Sequence, residues 1–318
     1  MAQAVTGDRG EEARHPAQIP ARGWKDVLLR VKDEVGSDNL SIVSAGVAFF
    51  ALLAIFPGIT ALVTLYGLVT DPAQVEPQLA PLRDLLPSGA FDIIAGQTRQ
   101  VASAASSSLS LGLIVSLALA IWSANAGTKS MITALNIAYG EHEKRGFFSL
   151  NFWSLLFTLA GILFMIVALT VVAAVPAVQA ATDSEAGPLQ SLLLALRWVV
   201  MAVLMIAALG LLYRYAPSRR SARFQWVSAG AIVATLFWLL ASIGFSFYVR
   251  SFGSYDKTFG SLGAVVILLM WFYLSTFVIC IGAELNAELE RQTREDSTVG
   301  GDKPIGRRGA FVADNKAT

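Results

Sequence analysis

The sequence predicts an all-α polytopic membrane protein: a bundle of six transmembrane helices, with an N-terminal interfacial helix before it and a helical external loop within it. Three observations predict this. Of 318 residues, 55% are hydrophobic and only 15% charged, with a mean hydropathy of +0.58. The charges are unevenly placed, because residues 1–39 and 292–318 hold 22 of the 47. Between them lie six stretches long enough for the ~20 apolar residues that a helix needs to cross the hydrocarbon layer.

The segment 1–22 is rich in Gly, Pro and mixed charge and is expected to be a disordered tail. In Gly23–Gly36, Trp24, Val27, Leu28, Val31 and Val35 recur at helical spacing, with charges on the other face. That pattern fits a helix lying along the membrane and equally an amphipathic helix packed on the protein's own face. The first span, about 42–68, follows in a window uncharged from 39 to 70. It exceeds the ~7–15 apolar residues of a cleavable signal and is expected to stay as the first helix. Pro57 and Gly58 near its centre remove a backbone donor and predict a kink.

The external loop, 71 to about 107, places Val75, Leu79, Leu82 and Leu86, then Phe91, Ile94 and Val101, in one or two short helices broken at Pro87. The second to sixth spans are expected near 106–127, 150–176, 191–213, 226–248 and 261–283, within a membrane domain of 23–291. The tail 292–318 is again expected to be disordered. Lysine and arginine number 19 in the two tails and the second and fourth loops, against 4 in the other loops. By the positive-inside rule both termini are cytoplasmic, and the alternation supports an even count of spans.

Soluble chemistry finds little support. Only His15 and His142 occur, neither in a ligand-spaced cluster, so no metal, cofactor or catalytic residue is assigned. Gly127-Thr128-Lys129-Ser130 lacks the spacing of a phosphate loop, and no G-x-S-x-G elbow is present. Cys280 is the single cysteine, which excludes an intramolecular disulfide. A net charge of +1 argues against nucleic acid as a partner.

The remaining candidates are polar groups in or near the spans. Arg197 is the one charge well inside a span; it either snorkels to the outer interface beside Trp198 or lines a polar cavity. Asn125 and Lys129, with Ser123 and Asn136, form a stripe that interhelical hydrogen bonding alone would explain. Glu284 and Glu288 share one helix face at i and i+4, with Asn286 between them; pairing with Arg or Lys from neighbouring loops is expected, and a proton or cation site is the alternative. Arg214, Arg219 and Arg220 close the fourth span beside Tyr213 and Tyr215, as membrane anchors or as contacts to acidic lipid headgroups. Gly230 with Ala234, and Gly260 with Ala264, are spaced for close helix approach.

Several stretches, taken in order, resemble one family. FALLAIFPG at 50–58, ALNIAYG at 134–140, Tyr213-Arg-Tyr-Ala-Pro217, FGSYDKTFGSLGAVVILLMWFYLS at 252–275 and GAELNAELER at 282–291 are similar to the YihY/BrkB family of bacterial inner-membrane proteins. The likeness covers about residues 24–291. It implies a six-helix inner-membrane protein, and members carry the labels ribonuclease BN and virulence or serum-resistance factor. It supplies no catalytic residue to transfer.

The functional expectation is therefore transport or export of an amphipathic or lipid-like envelope component. A structural scaffold for envelope assembly is the alternative, and an RNA-processing ribonuclease ranks behind both. The expected partner is the lipid bilayer; protein partners and self-association stay open.

Overall fold

A computed structural model of the chain describes residues 9–67, 111–182, 188–251 and 261–317, together with the isolated positions 91, 95, 96, 98 and 99. Those residues form helices and connecting turns, with one isolated antiparallel bridge between Ala222 and Thr298. In chain order the helices are α1 (Ala21–Ser37), α2 (Leu40–Gly67), α3 (Leu111–Ala138), α4 (Phe147–Thr182), α5 (Pro188–Tyr215), α6 (Phe224–Ser251), α7 (Ser261–Gln292) and the short α8 (Phe311–Asp314). Of the expected external-loop helices only positions 91, 95, 96, 98 and 99 are described, each of them helical; the rest of that loop and the FGSYDK stretch from 252 lie outside the described residues.

Five of the described helices are long and apolar enough to cross a membrane, at 40–58, 147–171, 196–215, 224–249 and 265–292. The helix α3 is equally long, with an apolar first half and Ser123, Asn125, Thr128, Lys129, Ser130, Thr133 and Asn136 along its second half. Large apolar side chains point outward along the bundle, among them Phe49, Leu53, Leu163 (61% exposed) and Leu240 (64% exposed). Such a surface would be costly in water and suits lipid tails. The chain is an integral membrane protein.

Inside lipid, helices gain little from hydrophobic burial and associate through close packing and interhelical hydrogen bonds. The arrangement follows that rule. Helix α7 is the hub, touching α1, α2, α3, α6 and α8, while α2–α3 and α6–α7 are the most extensive pairs. At the α6–α7 crossing, a Cβ on Gly230 would sit 2.0 Å from the Gly282 carbonyl oxygen, so only glycine admits this approach. Ala234 packs in the same crossing, whereas Gly260 lies outside the described residues. Asn286 locks it: its Oδ1 accepts from the Gly230 N–H at 2.7 Å and its Nδ2 donates to the Val227 carbonyl at 3.2 Å. Helix α2 runs unbroken through Pro57 to Gly67.

Helix α1 is amphipathic and packs on α7 with Val27 and Val31 buried, so of the two readings of this segment the structure takes packing on the protein's own face. Asp38 ends it, and Asn39 adopts φ +51°, a left-handed turn that an asparagine tolerates, before α2 begins at Leu40.

Residues 9–22 and 293–317, whose composition reads as that of tails, are both among the described residues. Both are folded and packed together: the Arg294 N–H donates to the Glu11 carbonyl at 2.7 Å and Gln292 Nε2 to the Arg9 carbonyl at 2.6 Å. Arg308 is 5% exposed and donates to the carbonyls of Arg294, Glu295, Lys303 and Ala313. Asp296 accepts from the Thr298 and Lys303 N–H groups. Composition signals disorder when apolar burial is scarce; here buried polar groups satisfied by backbone order the chain instead. Both ends of the protein thus form one cap at one end of the bundle.

Candidate functional site

Polar chemistry gathers where α1, the Asp38 turn and the end of α7 meet. Glu288 is 1% exposed and ion-paired with Arg30 of α1 and with Arg291 one turn further along α7, the latter at 2.6 Å. Arg291 also reaches Glu34 at 2.9 Å, which ties α1 to α7 by a chain of alternating charges. The cation expected from a loop comes from α1 instead. Arg30 adds a bond from Nη2 to Gln292 Oε1 at 2.7 Å.

Glu284, one turn earlier on the same face, has no such cation. It is 2% exposed, its Oε1 has no hydrogen-bond donor among the described residues, and its carboxyl lies against that of Asp38. Burial raises the Asp38 carboxyl above its ordinary value, with the Glu284 hydrogen bond working against that rise and the charge of Glu34 adding to it. Cys280, a further turn back, lies against the buried Ser44 of α2.

A second cluster seals the cap. Arg219 Nη2 lies 2.6 Å from Glu290 Oε2, with both side chains almost wholly buried, and its guanidinium sits 4.9 Å from the Tyr139 ring centroid. Burial opposes the Arg219 charge, but Glu290 more than compensates and holds its pKa above the ordinary value. Ser297 donates to the same Glu290 oxygen at 2.6 Å. The Arg219 guanidinium is thus enclosed between an ion pair and an aromatic face. Arg220 faces inward too, 4.0 Å from Asp296, while Arg214 lies half-buried with its guanidinium 3.8 Å from the Phe224 ring centroid. Nearby, burial would raise the Glu143 carboxyl, but the bonds and charge of Arg145 outweigh it and hold it at about 2.

A third polar patch joins α3 to α4. Lys129 Nζ donates to Asn151 Oδ1 at 2.6 Å and lies 5.5 Å from the Trp122 ring centroid. Thr158 donates to Asn125 Oδ1 at 3.3 Å, while the buried Asn125 Nδ2 has no partner. Arg197 stands apart from all three, half-buried on α5, with its guanidinium 5.5 Å from the Trp198 ring centroid. The structure thus sets Glu284 and Glu288 toward α1 and its turn, turns Asn286 toward α6, and keeps Asn125 with Lys129 toward α4. Sequence reasoning missed Arg30, Glu34, Asp38 and Glu290, whose placement depends on α1 and the C-terminal segment folding back. Among the described residues no three of His, Cys, Asp and Glu gather in a metal-holding group.

Comparison with known proteins places these features in a family. The model of a family described as Virulence factor BrkB matches residues 31–305. A protein of Bacillus subtilis called putative ribonuclease-like protein YfkH is 32% identical over 255 residues, which is 79% of this chain and 90% of that one. A UPF0761 membrane protein of Pseudoalteromonas atlantica is 26% identical over 263 residues, 82% of this chain and 84% of that one. One of Alteromonas mediterranea is 41% identical over 85 residues, 26% of this chain and 28% of that one. No solved structure matches.

Proposed function

The chain belongs to the virulence factor BrkB family, and from that footing we propose that it moves or exports an amphipathic, lipid-like component of the bacterial envelope across or within the inner membrane. The proposal includes six crossings, with α3 as the additional one, and a cytoplasmic cap formed by both ends of the chain. The 19-to-4 distribution of basic residues supports that orientation. So does the packing of residues 9–22 on 293–317.

One observation carries the transport reading. Polar atoms are buried on the spanning helices with no hydrogen-bond partner among the described residues, including Asn125 Nδ2 and Glu284 Oε1. An unsatisfied polar group in such a setting costs several kcal/mol, and a role in contacting polar cargo is the default account of its presence. Arg197, beside Trp198 and about two turns from the expected outer end, is proposed to snorkel toward the outer interface. Arg214 is retained as a contact for acidic headgroups.

Purified protein reconstituted in liposomes should accelerate movement of labelled phospholipid or lysolipid. Failure to move any lipid or solute across a panel, with Arg197→Ala and Glu284→Ala fully complementing a deletion strain, would remove the reading. A scaffold role is favoured by the extent of the folded cap; a stable stoichiometric partner captured by crosslinking in native membranes would select it. RNA cleavage, which the name of the Bacillus subtilis relative suggests, fits less well. Arg30, Arg219, Arg223 and Arg291 are already engaged by Glu288, Glu290, Asp302 and Glu34 and are not free for phosphates. Cleavage of precursor RNA by contaminant-free protein would reinstate it.

A further inference from the structure

We propose that Asp38 and Glu284 form a proton-binding site, one exchangeable proton being held between the two carboxyls at the junction of α1, α2 and α7. The site stands whatever the membrane domain moves.

The argument is one of charge and donors. Every other acid at this junction has a cation: Glu288 has Arg30 and Arg291, and Glu34 has Arg291. Glu284 and Asp38 have each other. The two carboxyls lie against each other with no cation paired to Glu284 among the described residues, and two ionised carboxylates offer acceptors only, so nothing but a proton can join them. Two like charges at such separation, one of them 98% buried, cannot both ionise cheaply. Glu284 Oε1 is buried and receives no donor from the described residues.

The groups facing Glu284 from each packed element are few. Helix α1 and its turn supply Arg30, Glu34 and Asp38; α7 itself supplies Cys280, Glu288 and Arg291; the turn after α3 supplies Tyr139. Helix α2 has no charged residue, and the single charge on α6, Arg250, lies at its far end. No cation is therefore spare to neutralise Glu284 once the proton leaves. Proton release changes the pair from one negative charge to two and moves no electrons. The resulting repulsion acts between the α1–α2 turn, at its Asn39 hinge, and the hub helix.

Infrared difference spectroscopy of the full-length protein in lipid nanodiscs tests the site. At about pH 7 a protonated carboxyl C=O band should be present, should lose intensity on raising the pH, and should shift when glutamate is isotopically labelled. Glu284→Gln should abolish the band, and Asp38→Asn should move it by removing its hydrogen-bond partner. Isotope labelling of the unmutated protein assigns the band even where a variant fails to fold. Absence of a protonated glutamate band at about pH 7, or a band unmoved by both substitutions, would overturn the proposal.

Discussion

At the scale of single residues the strongest statements concern buried ions. Arg219 and Glu290 are almost wholly enclosed, so removing either leaves the other charged and unpaired. Glu290→Ala is expected to cost about 3–5 kcal/mol in equilibrium unfolding, whereas replacing both by apolar residues of similar size should cost much less. Equal losses from the single and double changes would contradict the ion-pair account. Glu143 gives a pH test. Its folded-state value lies at about 2 against an ordinary 4.5, so its stabilisation is present above about pH 4.5 and is lost as the pH falls toward 2. Between those limits the natural protein should lose about 1–2 kcal/mol more than Glu143→Gln, the figure being reduced for solvent screening. Glu284, Asn286 and Glu288 were legible in the sequence as polar residues on or beside one helix face. Their partners were not, because Arg30 and Asp38 lie some 250 residues away in sequence and meet them only in the folded chain.

At the scale of elements, the α6–α7 crossing is the tightest constraint. A side chain on Gly230 would meet backbone of the hub helix, which has no flexible end to yield. Gly230→Ala is expected to destabilise the protein by about 1–3 kcal/mol, while Gly244→Ala on the same helix, where nothing stands within 4 Å, should cost nothing measurable. Comparable losses at both positions would show that the close approach is not what limits this interface. Most of the long helices were readable from uncharged apolar windows, because lipid imposes both length and composition. Helix α3 was readable only in its apolar first half; its polar second half continues as helix to Ala138 because α2 and α4 supply partners such as Asn151 and Thr158. Helix α1 read equally well as lipid-bound or protein-bound, since an amphipathic stripe does not say what covers it. The α1–α7 ion pairs decide between them.

At the scale of the whole molecule, the account describes a membrane bundle whose two chain ends fold into one cap on α7. That cap was the least legible part of the protein. Segments 9–22 and 293–317 have the composition of solvated tails, and the groups that order them, Arg308 and Asp296, do so through backbone carbonyls and N–H groups that leave no periodic trace in the sequence. The central claim is an even number of crossings with this cap in the cytoplasm, and topology reporters fused in intact cells test it most directly. A reporter fused after Thr318 should read cytoplasmic and one inserted beside Arg83 external; the opposite pair, or the same location for both, would contradict the account.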